Sequence, residues 1–246
     1  MIESNGLTYD ISVCINRDEI EPESMALWGS SPVEVRPLRQ LDDGSLRSAL
    51  VSLPAGWSCD TPLHVDAIQQ FFVLSGRLRL GSAELGANAF VVVRAGDTMP
   101  PIAAIEDCEL VLVQNPGQSY CIDDRPSSAV VTPDAYTLEP FTPVIHGKLL
   151  HGFERRVLWI DPDTGADTRL LRVPAGFRGA GGASWHPVQE EIFCIAGDIH
   201  PDPSRPMRSG SFLWNPARSI HGFDEFTENG CILLEWHDGL WDLIRA

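Results

Sequence analysis

The pentapeptide Leu53-Pro54-Ala55-Gly56-Trp57 returns 120 residues later as Val173-Pro174-Ala175-Gly176-Phe177. Gln69-Gln70-Phe71-Phe72-Val73-Leu74-Ser75-Gly76 returns after 121 as Glu190-Glu191-Ile192-Phe193-Cys194-Ile195-Ala196-Gly197. Residues 94–99 are answered by 216–221 at an offset of 122, and 108–111 by 231–234 at 123. Four blocks in the same order with a slowly growing offset make the chain two copies of one unit, because self-similarity at a fixed period marks a repeated architecture. Residues 33–38 and 46–53 flank the turn Asp42-Asp43-Gly44, and 156–160 and 168–173 flank Asp161-Pro162-Asp163-Thr164-Gly165, which reads as one hairpin per copy. Short runs rich in β-branched and aromatic residues, such as 89–93 and 231–236, predict further strands, with turn signals about every ten residues. The expected fold is all-β, a sandwich or barrel in each copy. The copies are divided as residues 1–125 and 126–246, with 115–143 serving as linker and entry to the second.

The 246 residues carry 18 Lys+Arg against 34 Asp+Glu, a net charge of −16, which argues against nucleic acid or an anionic membrane as partner. With 43% hydrophobic and 21% charged residues the chain can bury a core and is not an acidic disordered tail. Residues 1–6 lack a basic start and apolar run, and no later stretch is long enough to span a bilayer, so a cytoplasmic setting is expected. Six scattered cysteines without a C-x-x-C pair read as reduced, mostly core-filling thiols.

His186, Glu190 and His221 fall where two adjacent antiparallel strands would let their side chains converge. Two imidazoles and a carboxylate that leave open positions form the facial set suited to Fe(II), with Zn or Mn as alternatives. Glu191, next in sequence, is expected on the opposite face, in solvent or at a bulge contact. His146, His151, His200 and His237 have no partner at ligand spacing and read as surface or loop residues. Ser184 next to a histidine has no G-x-S-x-G surroundings, which argues against a nucleophile. The glycine-rich residues 178–183 read as a loop before the ligand strand, in the position of a lid.

With these residues in place the second copy resembles a cupin, whose pattern is G-x5-H-x-H-x3-4-E-x6-G followed by G-x5-P-x-G-x2-H-x3-N. His186 takes the second histidine, Glu190 and Gly197 follow at family spacing, and Gly210, Pro216 and His221 fit the second motif. The phrase from His186 to Phe193, with residues 230–234, resembles the cupin domain of ChrR-type zinc anti-sigma factors and their stand-alone relatives, among them dioxygenases that cleave carbon–carbon bonds beside carbonyls. The resemblance spans both copies and implies a bicupin of two double-stranded β-helix (jelly-roll) barrels. Ser184 replaces the first histidine, Arg218 the second-motif glycine and Glu225 the asparagine. Three protein ligands would then remain, and Arg218 would bring a cation to the barrel mouth. Ser184, Trp185, Trp214 and Arg218 are the expected pocket residues. In the first copy the ligand positions read Pro62, His64, Gln69 and Met99, with Asp66 as a substitute, so a vestigial site of His64, Gln69 and Met99 is expected in a structural or dimerising barrel.

The resemblance implies one divalent metal per chain, Fe(II) or Zn or else Mn, and a small-molecule substrate such as a diketone, hydroxyketone or sugar acid. It also implies a homodimer by family analogy. A dioxygenase-type oxidoreductase is the leading expectation. A non-catalytic sensory cupin is the alternative, although the first fifty residues hold one cysteine, Cys14, and no histidine for a zinc-bound sigma-binding segment.

Overall fold

The computed structural model describes residues 6–9, 12–123, 125–179 and 182–246. The described chain is all-β apart from two single-turn 3₁₀ helices, Arg17–Glu19 and Ala135–Thr137, and no helix is long and apolar enough to cross a membrane. It divides into two compact units, Ile20–Thr137, and Met1–Glu19 together with Leu138–Ala246. The expected boundary at residue 125 is therefore corrected on both sides. Val13–Asn16 adds as an edge strand to Ser211–Asn215, and Val130–Thr132 pairs with Phe90–Val93, each by backbone hydrogen bonds that residue order alone does not reveal. The expected linker accordingly contains strands of the first unit, including Tyr120–Ile122, which pairs with Leu63–Val65.

The larger sheet of the first unit runs Val130–Thr132, Phe90–Val93, Gln69–Ser75, Cys108–Gln114, Leu46–Leu53, Val33–Gln40, Glu23–Met25. That of the second runs Glu154–Ile160, Asp167–Val173, Cys231–His237, Glu190–Ile199, Ser211–Asn215, Val13–Asn16. The order hairpin, last strand, central strand is common to both, so the sequence repeat is a repeat of topology. Gly76 follows the first central strand and Gly197 lies within the second, with φ of +77° and +81°, and a Cβ at either would lie 2.0 Å from the carbonyl oxygen of Asp107 or Gly230. Only glycine fits that approach, which explains why this residue recurs in the repeat.

Along Glu190–Ile199 the first five residues are all buried. Side chains still alternate, so Glu190, Ile192 and Cys194 face one way and Glu191 and Phe193 the other. Glu191 is on the face opposite Glu190 as expected, but it is fully buried rather than in solvent. Its register partners are Trp214 and Trp236.

The inner face of the first unit is filled by apolar side chains, among them Val35, Ala49, Val51, Leu63, Val65, Phe71, Met99, Leu110 and Leu112. Burying each of the larger ones stabilises by about 1.5–3 kcal/mol. In the second unit the corresponding cluster is smaller, around Val173, Ile192, Cys194, Leu213 and Leu233, and it borders a cavity. All six cysteines are unpaired; four are buried, Cys14 is half-buried and Cys121 is exposed.

Candidate metal centre

His186, Glu190 and His221 come together with one potential ligand atom from each within 4.8 Å of the others. Glu190 opens the central strand, His186 lies just after the Ser184–Trp185 strand, and His221 follows Ser219–Ile220. Ser184 and His221 exchange both backbone hydrogen bonds at 2.9 Å, which clamps the two histidine-bearing segments side by side. Glu190 Oε2 is 3.4 Å from His186 Nε2 and 3.9 Å from His221 Nε2.

The outer nitrogens decide what the inner ones can do. His186 Nδ1 donates to the Asp242 carbonyl and His221 Nδ1 to the Ser219 carbonyl, each at 2.9 Å. A carbonyl can only accept, so both Nδ1 atoms carry the proton and both Nε2 atoms present a lone pair toward one carboxylate oxygen. Such an electron-rich point requires a proton or a metal cation. Backbone-held Nδ1–H groups are also the usual means of orienting metal-ligating imidazoles. The donor set therefore fits a divalent metal with open positions.

Around this point Glu190 is tightly held. Asn215 Nδ2 donates to its Oε2 at 2.8 Å, and Trp241 Nε1 donates to Oε1 at 3.2 Å. His237 Nε2 lies 3.1 Å from Oε1, and Asp167 Oδ1 lies 2.7 Å from His237 Nδ1. The Trp241 ring stacks on His186 at 5.0 Å, and the Arg169 guanidinium lies 4.5 Å from the centre of the same ring. Burial works against the Glu190 carboxylate, but His186 and His237 outweigh it and hold the group well below the ordinary carboxylate range. Burial likewise disfavours a His186 cation, yet the facing Glu190 carboxylate raises that imidazole above its ordinary value.

A cavity of about 180 Å³ opens from the cluster. Its wall is largely apolar, with Leu150, Phe153, Leu171, Ile192, Leu213 and Leu233, and its polar groups include Ser184, Asn215, Glu225, Glu235 and Arg155. Burial pushes the Glu225 carboxyl up to about 7, with the Glu190 charge adding to the effect. Burial also raises Glu235 above the ordinary range, against the pull of Arg169 and Arg155.

Of the expected pocket residues, only Ser184 lines the cavity. Trp185 lies between Ser184 and His186 and Trp214 beside Asn215, so alternation turns both to the other face. Arg218 lies away from the cavity as well. Its guanidinium sits 5.1 Å from the Trp185 ring, and its Nε donates to the Gly6 carbonyl. Its φ of +63° explains why the family pattern has glycine there. Of the expected lid segment, residues 180–181 lie outside the described residues, while Gly179 N donates to the Glu225 carbonyl at 2.7 Å.

Sequence reading placed His237 on the surface, but it is buried and bonded to Glu190. A usable signal existed: in a strand that includes 231–237, alternate residues Leu233, Glu235 and His237 share one face. His146 and His151 are exposed, and His200 is half-buried, stacked on Phe226 at 4.2 Å.

The expected vestigial site of the first unit requires a correction. Met99 pairs with Leu63, as His221 bridges to Ser184, so Leu63 and Val65 occupy the places of Ser184 and His186. His64 points the other way, half-buried between Asp66 at 3.1 Å and Asp123 at 3.8 Å. The assignment slipped by one residue, and a one-residue slip in a strand exchanges faces. Gln69 and Met99 do meet, but as a hydrogen bond from Nε2 to Sδ at 2.8 Å inside the core.

An all-β fold that carries a His–Glu–His cluster at the mouth of an apolar cavity agrees with the cupin resemblance of the sequence motifs. Residues 128–239, the greater part of the second copy, match the family described as the ChrR cupin-like domain. No curated protein matches it by sequence. Among solved structures it is similar to a Nostoc punctiforme protein provisionally named a dioxygenase, at 17% identity and TM-score 0.81, with 93% of this chain and 82% of that one covered. It also resembles protein YlbA of E. coli at 13% identity and TM-score 0.66, covering 95% and 94%. The oxalate decarboxylase of Lactobacillus farciminis follows at 12% and 0.60, covering 94% and 88%. At these identities the likenesses establish the fold.

Proposed function

We propose that the chain is a bicupin whose second cupin binds one divalent metal through His186, Glu190 and His221 and acts on a small oxygenated substrate as a dioxygenase-type enzyme. The observation that carries this reading is the pair of Nε2 lone pairs aimed at one carboxylate oxygen, each imidazole fixed by its Nδ1–H on a backbone carbonyl. A divalent metal in such a site polarises substrate oxygens and, if it is redox-active, gives access to dioxygen.

The chain's own groups do the rest. Asn215, His237 and Trp241 fix the Glu190 carboxylate, so its oxygens stay aligned when the site is loaded. The apolar wall excludes water from the reacting atoms. Glu225, with its carboxyl near 7, can hold or release a proton at the cavity wall at neutral pH. Among the described residues the apolar interior of the first unit brings no ligand set together, which supports a structural role for that copy.

Elemental analysis of the purified protein is expected to give about one Fe, Zn or Mn per chain in the wild type and none in His221→Ala. A wild type that stays empty after anaerobic reconstitution would sink the proposal. The match to the ChrR cupin-like domain favours a second reading, a sensory cupin without turnover. Oxygen uptake by the iron-loaded protein over a panel of β-diketones and oxo acids separates the two.

A further inference from the structure

Arg155 is the one guanidinium of the cavity wall that, among the described residues, makes no side-chain hydrogen bond or ion pair. Its Nε is buried without a partner, the Trp241 ring lies 5.3 Å from Cζ, and the Glu235 charge acts on it without a hydrogen bond or ion pair between the two. The nearby acids are committed elsewhere. Asp167 bonds His237 and pairs with Arg169 at 3.1 Å, and Glu235 faces Arg169 at 3.7 Å. A guanidinium cannot shed its charge by deprotonation, and a buried Nε–H left without an acceptor is costly. The fork of donors matches a carboxylate in geometry and charge.

Its placement adds a direction. Trp241 stacks on His186 and also borders Arg155, so the guanidinium and the ligand cluster stand one indole apart on the same cavity. Arg155 lies opposite Leu171 in its hairpin, and the same register position in the first unit is Val35, opposite Val51. The cation thus stands in the interior that opens into the cavity, and valine in the interior that is filled by apolar side chains. A dry cavity of about 150 Å³ accepts benzene, so one of 180 Å³ admits a molecule slightly larger.

From this geometry we infer that the ligand is a small oxo- or hydroxycarboxylate: Arg155 takes the carboxylate, the His186, Glu190 and His221 side the oxo or hydroxyl oxygen, and the apolar wall the carbon skeleton. The assignment of the second oxygen rests on the metal reading above; the Arg155 clamp does not.

The test is calorimetric titration of the metal-free protein with two isosteric pairs, benzoate against benzamide and 2-oxobutanoate against pentane-2,3-dione. The wild type is expected to bind each carboxylate at least tenfold more tightly than its neutral partner, and Arg155→Met to abolish the difference. Equal or tighter binding of the neutral partners, binding of neither pair, or an Arg155→Met protein that keeps the preference would overturn the clamp. If the Met variant does not fold, Arg155→Lys serves. Loss of the planar fork should cut the preference at least threefold, and an unchanged preference overturns the inference. Since no metal is present in the titration, its failure leaves the metal reading intact. An empty wild type that still prefers carboxylates would overturn the metal reading alone.

Discussion

The two units have the same strand order and opposite interiors. At matching register the first unit has Val35, Ala49, Leu63, Val65, Gln69, Met99, Leu112 and Gln114, where the second has Arg155, Arg169, Ser184, His186, Glu190, His221, Glu235 and His237. Even the caps correspond. Trp28 Nε1 donates to Gln69 Oε1 at 3.1 Å in the first unit, as Trp241 Nε1 donates to Glu190 Oε1 at 3.2 Å in the second. The Tyr120 hydroxyl lies 3.0 Å from Gln69 Oε1 and 3.2 Å from Gln114 Oε1, so a neutral network stands where the other unit has Glu190 and His237. One backbone frame thus supports either a filled apolar core or a charged cluster around a cavity. The ladder hydrogen bonds define the frame, and the inward side chains are free to vary at the cost of packing.

The sharpest way to break this comparison is to make the same truncation in both interiors. Leu110 and Leu233 occupy equivalent positions, one in the filled core and the other on the cavity wall. Leu110→Ala is expected to destabilise its unit by about 3–5 kcal/mol, as a buried leucine that leaves a new void does. Leu233→Ala should cost about 2–3 kcal/mol, because its wall already faces empty space. Denaturant titration of the two variants measures this, and equal losses would mean that the second interior is packed as tightly as the first.

A smaller effect is expected from giving the second unit the first unit's residue at its hidden histidine. His237→Gln should weaken metal binding by roughly 10- to 100-fold, the usual consequence of losing a group that orients a ligating side chain. Competition with a chelator reads the affinity, and an unchanged value would remove His237 from the site.

A further effect concerns pH. Glu225 has a carboxyl raised to about 7 in the folded protein against an ordinary value of 4.5. The folded state binds this proton more tightly, so its stabilising contribution is complete below about 4.5 and is lost as the pH rises to about 7. In the metal-free protein the stability of the wild type relative to Glu225→Gln should therefore fall across that window. A difference that does not change with pH would contradict the environment assigned to Glu225.

Much of the frame was legible in order and spacing. The repeated Pro-Ala-Gly turns, the glycines at 76 and 197 and the runs of β-branched residues each answer to a local physical demand, a positive φ or a close carbonyl, that the residue type itself reports. The grouping of His186, Glu190 and His221 was legible for the same reason, since their spacing in two neighbouring segments is a local property. Trp185 and Trp214 lie outside the cavity because sequence neighbours of an inward residue in a strand point outward, and Arg218 because it sits in a turn at a φ of +63°. His64 was misplaced because the phase of alternation in a three-residue strand cannot be fixed without its partner. The segment 115–143 looked like a linker because its short strands carry little pattern of their own and exist through their pairing with Leu63–Val65 and Phe90–Val93.

The sequence by itself thus determined a duplicated β unit, an acidic chain and one cluster of candidate ligands in the second copy. Only the tertiary structure decided that His237 backs Glu190, that Arg155 Nε is left without an acceptor at the cavity, that residues from the chain's start join the second unit, and that the described residues of the first interior bring no ligand set together. The physical reason is common to these four. Each depends on which strand lies beside which and in what register, and those pairings join residues as far apart as Ser12 and Asn215, whose contact leaves no local trace in the chain.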